Sequence, residues 1–217
     1  MTTRTWIIVA VFFIVAIFAY DFLTKKPKRA PRWDELKATE EYASWKEFRS
    51  QNGRFEVRFP TYPQHTTASD AAHFGSNQDA VRYDIYLSQG RAGSTFLISV
   101  LDYPQAFDIA RDDMLFDAVI KDMMSSNPSS NLVEAKKGTF LDKPSQDFTI
   151  RTPEFTTKSR AFVDNKTLYV LTVMDRTPDQ LEEEFEMFTS SFKLTASEAV
   201  KQERTQEPTQ PAQAHAA

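Results

Sequence analysis

The chain contains no cysteine. Disulfide bonds, thiolate metal sites and a cysteine nucleophile are therefore excluded, although oxidising and reducing compartments both tolerate such a chain. Glycine is scarce as well. None of the five glycines, Gly53, Gly75, Gly90, Gly93 and Gly138, lies in a Gly-x-Ser-x-Gly turn, so the usual signature of a serine nucleophile is missing. Gly90-Arg-Ala-Gly93-Ser-Thr lacks the length and the lysine of a phosphate-binding loop and reads as a hairpin connection. Three histidines are present, His65 and His73 in a Ser/Thr/Asp/Ala-rich stretch and His215 near the end. An eight-residue gap in a polar loop does not match the spacings of zinc sites, and these histidines read as exposed and unliganded.

Charge of one sign is scarce only locally. Of 26 basic and 30 acidic groups, six basic groups and one acid fall in residues 1–32, and two basic groups and three acids follow residue 194. The middle is left with an excess of eight acids, so it should repel nucleic acid backbones, and no nucleic acid partner is expected.

What the chain does have is a long apolar run. Trp6-Ile-Ile-Val-Ala-Val-Phe-Phe-Ile-Val-Ala-Ile-Phe-Ala-Tyr20, with Ile14 at its middle, continues to Leu23 and holds Asp21 as its one charge. As a helix these 18 residues would reach about 27 Å, close to the hydrocarbon thickness of a bilayer. The run is longer than the core of a cleaved signal, and no clean small-x-small cleavage site follows, so an uncleaved anchor over residues 1–24 is expected. Lys25, Lys26, Lys28, Arg29 and Arg32 come next, against Arg4 and the terminal amine in front. By the positive-inside rule this favours a cytoplasmic domain, although short N-terminal anchors also tether exported domains. Residues 25–44 read as a basic linker with a short helix over 33–43. Residues 195–217 are rich in Gln, Glu, Thr, Pro and Ala with Val200 as the one large aliphatic residue, and read as a disordered tail.

Residues 45–194 carry the folding signals. Phe55, Val57 and Phe59 alternate with Glu56 and Arg58 after Asn52-Gly53, which predicts a hairpin of residues 45–50 with 55–59. A polar loop follows. Val81, Tyr83, Ile85 and Leu87 then alternate with Arg82, Asp84, Tyr86 and Ser88, the pattern of a half-buried strand. Residues 95–101 are more continuously apolar and read as a central strand. Asp108 is placed to cap a helix with Ile109, Phe116, Ile120 and Met123 on one face, widened by Leu115 and Val119 and stopped by Asn127-Pro128. Strands are predicted over 132–141, 147–155, 159–163 and 166–174, the last two joined through Asp164-Asn165. Thr177-Pro178-x-Gln180 matches a capping box, and Leu181, Phe185, Phe188 and Phe192 repeat at helical spacing. Together these predict an α+β fold, an antiparallel β-sheet flanked by helices in an α-β-α sandwich, preceded by the one transmembrane helix.

Two acidic clusters stand out: Asp108, Asp112, Asp113, Asp117 and Asp122, and Glu182-Glu-Glu184 with Glu186. They read as solvated helix faces with acids near N-termini, the other reading being recruitment of cations or of a basic partner. Ser190-Ser-Phe-Lys193 matches a Ser-x-x-Lys pattern but reads as a helix end with a cation near its negative pole. Asn165-Lys-Thr167 matches a glycosylation acceptor and reads as a turn.

The domain resembles the PsbP-like family and its DcrB-type neighbours. The resemblance lies in Trp45…Phe48…Gly53-x-Phe55-x-Val57-x-Phe59-Pro60, Ile98-Ser-Val-x-Asp102-Tyr103-Pro104, Gly138, Arg160-Ala-Phe162…Leu168-Tyr169-Val170 and Ser191-Phe192. It implies an α-β-α sandwich and a non-catalytic binding or assembly domain, often tethered to a membrane, and in one branch an adaptor or chaperone. The metal sites of the photosystem members have no matching cluster here, so no metal or cofactor is carried over. The expectation is a single-pass protein of the bacterial inner membrane that touches the bilayer through its first helix and binds a protein partner. A small-ligand or divalent-cation binding domain is the alternative, and an enzyme of unrecognised type stands behind both.

Overall fold

The computed structural model describes residues 42–70, 81–90, 93–104, 112–176 and 180–195. The apolar run with Trp6, Ile14 and Leu23, the basic flank Lys25, Lys26, Lys28, Arg29 and Arg32, and the tail beyond residue 195 lie outside the described residues. Among the described residues no helix is long and apolar enough to cross a membrane. Of the helix predicted over 33–43, a helical turn at Tyr42 and Ala43 is described.

In chain order the elements are β1 (Lys46–Arg49), β2 (Phe55–Phe59), β3 (Gln64–Asp70), β4 (Val81–Gln89), β5 (Thr95–Asp102), α1 (Asp112–Ser125), β6 (Asn131–Phe140), β7 (Lys143–Arg151), β8 (Thr156–Asp164), β9 (Thr167–Asp175), α2 (Leu181–Ser191) and β10 (Lys193–Leu194). Seven strands form one antiparallel sheet in the order β3-β4-β5-β9-β8-β7-β6, and β1-β2-β10 form a second, smaller one. The order follows from one crossing. After β5 the chain passes through α1 to the far edge, and the meander β6-β7-β8-β9 then works inward until β9 closes against β5. Short turns make each meander pair antiparallel.

Period-two alternation sends side chains of the large sheet to two cores. On one face Ile98, Val100, Phe162, Tyr169, Leu171 and Val173 pack with Leu181, Phe185 and Phe188 of α2 and with Phe55, Val57 and Phe59 of β2. On the other, Leu101, Phe148, Ile150, Ala161, Leu168 and Val170 pack with Phe116, Val119, Ile120 and Met123 of α1. The sheet thus carries a helix on each face. Fully burying each large aromatic stabilises by about 1.5–3 kcal/mol, and Phe59, Phe96, Phe185 and Phe188 are wholly removed from solvent.

Parts of the sequence reading need correction. The polar stretch after Pro60 is not simply a loop, because residues 64–70 form β3, whose backbone pairs with β4 along its length. Strand β4 is not half-buried: Asp84, Tyr86 and Ser88 are buried together with Val81, Tyr83 and Ile85, since each face of the sheet has its own core. Thr177 and Pro178 of the predicted capping box lie outside the described residues, and the described part of α2 begins at Leu181 after Gln180, whose side chain makes no cap bond. Ser190-Ser-Phe192 forms the end of α2 as expected, and Lys193, directly after the cap, also pairs with Glu56 in β10. Asp108 and Ile109 lie outside the described residues, while α1 buries the expected stripe from Phe116 to Met123.

Candidate functional site

Polar groups inside the fold are engaged mainly in joining its layers. Asp102 of β5 accepts a hydrogen bond at 2.7 Å from Thr167 Oγ1 and forms an ion pair with Arg54 from the β1–β2 turn. Burial works against the Arg54 charge, but the bond and the charge of Asp102 outweigh it and raise its pKa. Asp102 therefore fastens the small sheet to the large one. Under α2, Arg160 grips Asp147 with two bonds of 2.7 Å, lies 3.7 Å from Glu186, and stacks on Phe140 and Phe185. Lys158 pairs with Glu182. The acids of α2 are thus not all a solvated face: Glu184 is buried and accepts a hydrogen bond from Ser94.

His65, expected to be exposed, is half-buried on β3. Its ring stacks on Tyr86 at 4.4 Å, with an interplanar angle of 6°, and its Nε2 lies 2.9 Å from Asp84 Oδ1. Thr67 Oγ1 donates to the same carboxylate oxygen at 2.6 Å and lies 3.2 Å from the same ring nitrogen. A catalytic relay needs acid and nucleophile on opposite imidazole nitrogens. Here both face Nε2, and the Thr67 hydroxyl proton is held by Asp84, so the trio clips β3 to β4. Burial first, and the Asp84 charge second, push the Tyr86 phenol up to about 12. His73 and His215 lie outside the described residues.

A small cavity of about 30 Å³ lies on the α1 face, lined chiefly by Tyr83, Ile85, Leu97, Leu101, Val119 and Val170. It has room for a water or two, well below the size of small-molecule sites. Among the described residues no group of three or more His, Cys, Asp or Glu gathers as a metal site requires. On α1, Asp113 is 2.8 Å from Lys137. Burial holds the Asp122 carboxyl above its ordinary range.

Among the described residues a feature left open to a partner is the β6 edge of the large sheet. Among the described residues β6 pairs with β7 alone, and nine of its ten residues are exposed, Phe140 being the partly buried one. Leu132 and Val133 are among the exposed large apolar residues, and Leu141 at the end of the β6–β7 hairpin is another. That hairpin turns through Leu141 and Asp142, with φ of 52° and 61°, the two-residue geometry that Asn-Gly usually supplies. Asn165, also at positive φ, sits in the turn predicted for it. The strand itself was legible from residues 132–141. Its place at the edge was not, because that depends on β9 pairing with β5.

No protein-family model matches the chain. No curated protein matches it either. Among solved structures it is similar to the solution structure of the cyanobacterial PsbP, CyanoP, from Synechocystis sp. PCC 6803, with 11% identity and a TM-score of 0.48 over 70% of this chain and 92% of that one. It is also similar to a protein of unknown function, PA94, from Pseudomonas aeruginosa, with 11% identity and a TM-score of 0.38 over 77% of this chain and 99% of that one. A likeness of this degree carries no information on ligand or partner.

Proposed function

We propose that this chain is a membrane-tethered, non-catalytic binding and assembly protein, anchored by residues 6–23 and presenting the edge strand β6 to a protein partner. The observation that carries the binding role is the exposure of β6 along its length, with no strand on its outer side among the described residues. An extended segment added there would gain main-chain hydrogen bonds and contacts with Leu132 and Val133. The tether rests on the apolar run and on the cations that follow it. In this reading the protein is single-pass in the bacterial inner membrane, with the domain on the cytoplasmic side.

The test uses the absence of cysteine. A thiol-specific photo-crosslinker at Lys136→Cys in membranes should give a reproducible protein adduct, and the same probe at Glu183→Cys on α2 should give none. Equal or absent labelling at the two positions would refute the edge as the binding surface. The cation-binding reading is carried by no gathered acidic site among the described residues, and calorimetry with calcium, manganese and magnesium checks it directly.

A further inference from the structure

We infer that the partner on β6 is a second copy of this chain, paired antiparallel about a two-fold axis through Ala135; this rests on the edge-binding role proposed above. An antiparallel two-fold joins two edges into one continuous sheet with like faces on the same side, so facing residues belong to the same face. The β6–β7 register puts Glu134 opposite Thr149 and Lys136 opposite Asp147, two positions of β7 on the same face. Centring the axis on Ala135 then sets Glu134 of each copy against Lys136 of the other, in two reciprocal opposite-charge pairs. Lys137 is not in competition, since its ammonium is held by Asp113 of α1. Small Ala135 is the one residue that meets its own copy, where a bulky or charged side chain would clash or repel.

Lysines and bulges on an edge strand commonly block such pairing. A guarded edge, however, turns like charge toward its copy, and here the half-turn brings Lys136 to Glu134 instead. The bulge between Leu132 and Glu134 limits the shared ladder to a few residues around the axis. The contact is therefore weak in dilute solution and relies on tethering in one membrane to raise the local concentration. The other edge, β3, runs into residues 71–80, outside the described residues.

The test is a cysteine scan of the full-length chain in its membrane. Facing Cα atoms of an antiparallel pair lie about 4.5–5.5 Å apart, within disulfide reach, so Ala135→Cys should form a disulfide-linked dimer under mild oxidation. Glu183→Cys, at an exposed position on α2, serves as the control. Glu134→Lys or Lys136→Glu, each added to Ala135→Cys, should lower the dimer yield about tenfold as two attractive pairs become repulsive. Co-expression of those two charge variants should restore it as a mixed dimer. No faster linking of the Ala135→Cys chain than of the Glu183→Cys chain, or yields indifferent to the charge swaps, would overturn the self-pairing. A hetero-adduct at Lys136→Cys without an Ala135→Cys dimer would refute this inference and leave the binding role standing. Failure at both positions would remove both.

Discussion

The left-handed backbone at Leu141 is where a single side chain works against its own turn. Leucine in this region costs about 1 kcal/mol because its Cβ crowds the following carbonyl, and here it is also exposed. Leu141→Asn should therefore raise stability by about 0.5–1 kcal/mol, read as a higher midpoint in urea at unchanged slope. Asp122 is a second misfit, lying in the last turn of α1, which has no basic residue there. Burial raises its pKa, with Lys121 opposing in part. A carboxyl whose folded pKa lies above its unfolded value contributes stability that is present at low pH and lost as pH rises through the folded value. Asp122→Asn should then raise Tm at neutral pH, helped by relief of the helix dipole, and the gain should disappear by about pH 3, where the wild-type group is protonated in both states. A gain that persisted unchanged at acid pH would place the effect elsewhere.

At the scale of elements, legibility followed the side chains that do the burying. The β1–β2 hairpin, the meander β6 to β9 and the aromatic stripe of α2 could be read from the sequence because Phe55, Phe148, Phe162, Phe185 and Phe188 supply both the periodicity and the core. β3 could not, since Gln64–Asp70 holds no large apolar residue; it is held by its ladder and by His65 on Tyr86. The burial of Asp84 was hidden for a related reason, as its partners His65 and Thr67 lie on that unrecognised strand. The candidate edge was half legible: alternation identifies β6 as a strand, but only the non-sequential β5–β9 pairing leaves it outermost. Helix α2 depends on packing more than on its start, which lacks a side-chain cap bond. Phe188 packs against Phe59 and Phe96, joining α2 to both sheets, so Phe188→Ala should cost about 3–5 kcal/mol in equilibrium unfolding. Glu183→Ala, on the exposed side, should change stability by less than about 0.5 kcal/mol.

Across the whole molecule, the point where the described chain enters the fold and the open edge lie apart. The described chain enters the fold at Tyr42 and Trp45, and Trp45 packs edge-on against Phe96 of β5. From β5 the sheet continues through β9, β8 and β7 to β6, four strand spacings or about 19 Å away. The anchor proposed on residues 6–23 would feed a chain that enters beside β5 and would leave β6 accessible to a neighbour in the same bilayer. The described fold closes on itself without the proposed anchor: β10 pairs with β2, and the Thr195 amide donates to the Arg54 carbonyl at 2.8 Å. Removing residues 1–24 should therefore leave thermal unfolding unchanged while the protein leaves carbonate-washed membranes. The same deletion in the Ala135→Cys chain should reduce disulfide dimer by about 100-fold at equal total protein, because the second copy is no longer held at high local concentration. Undiminished linking would mean that the edge pairs without help from the bilayer, and retention on membranes would place the anchoring determinant inside the folded domain.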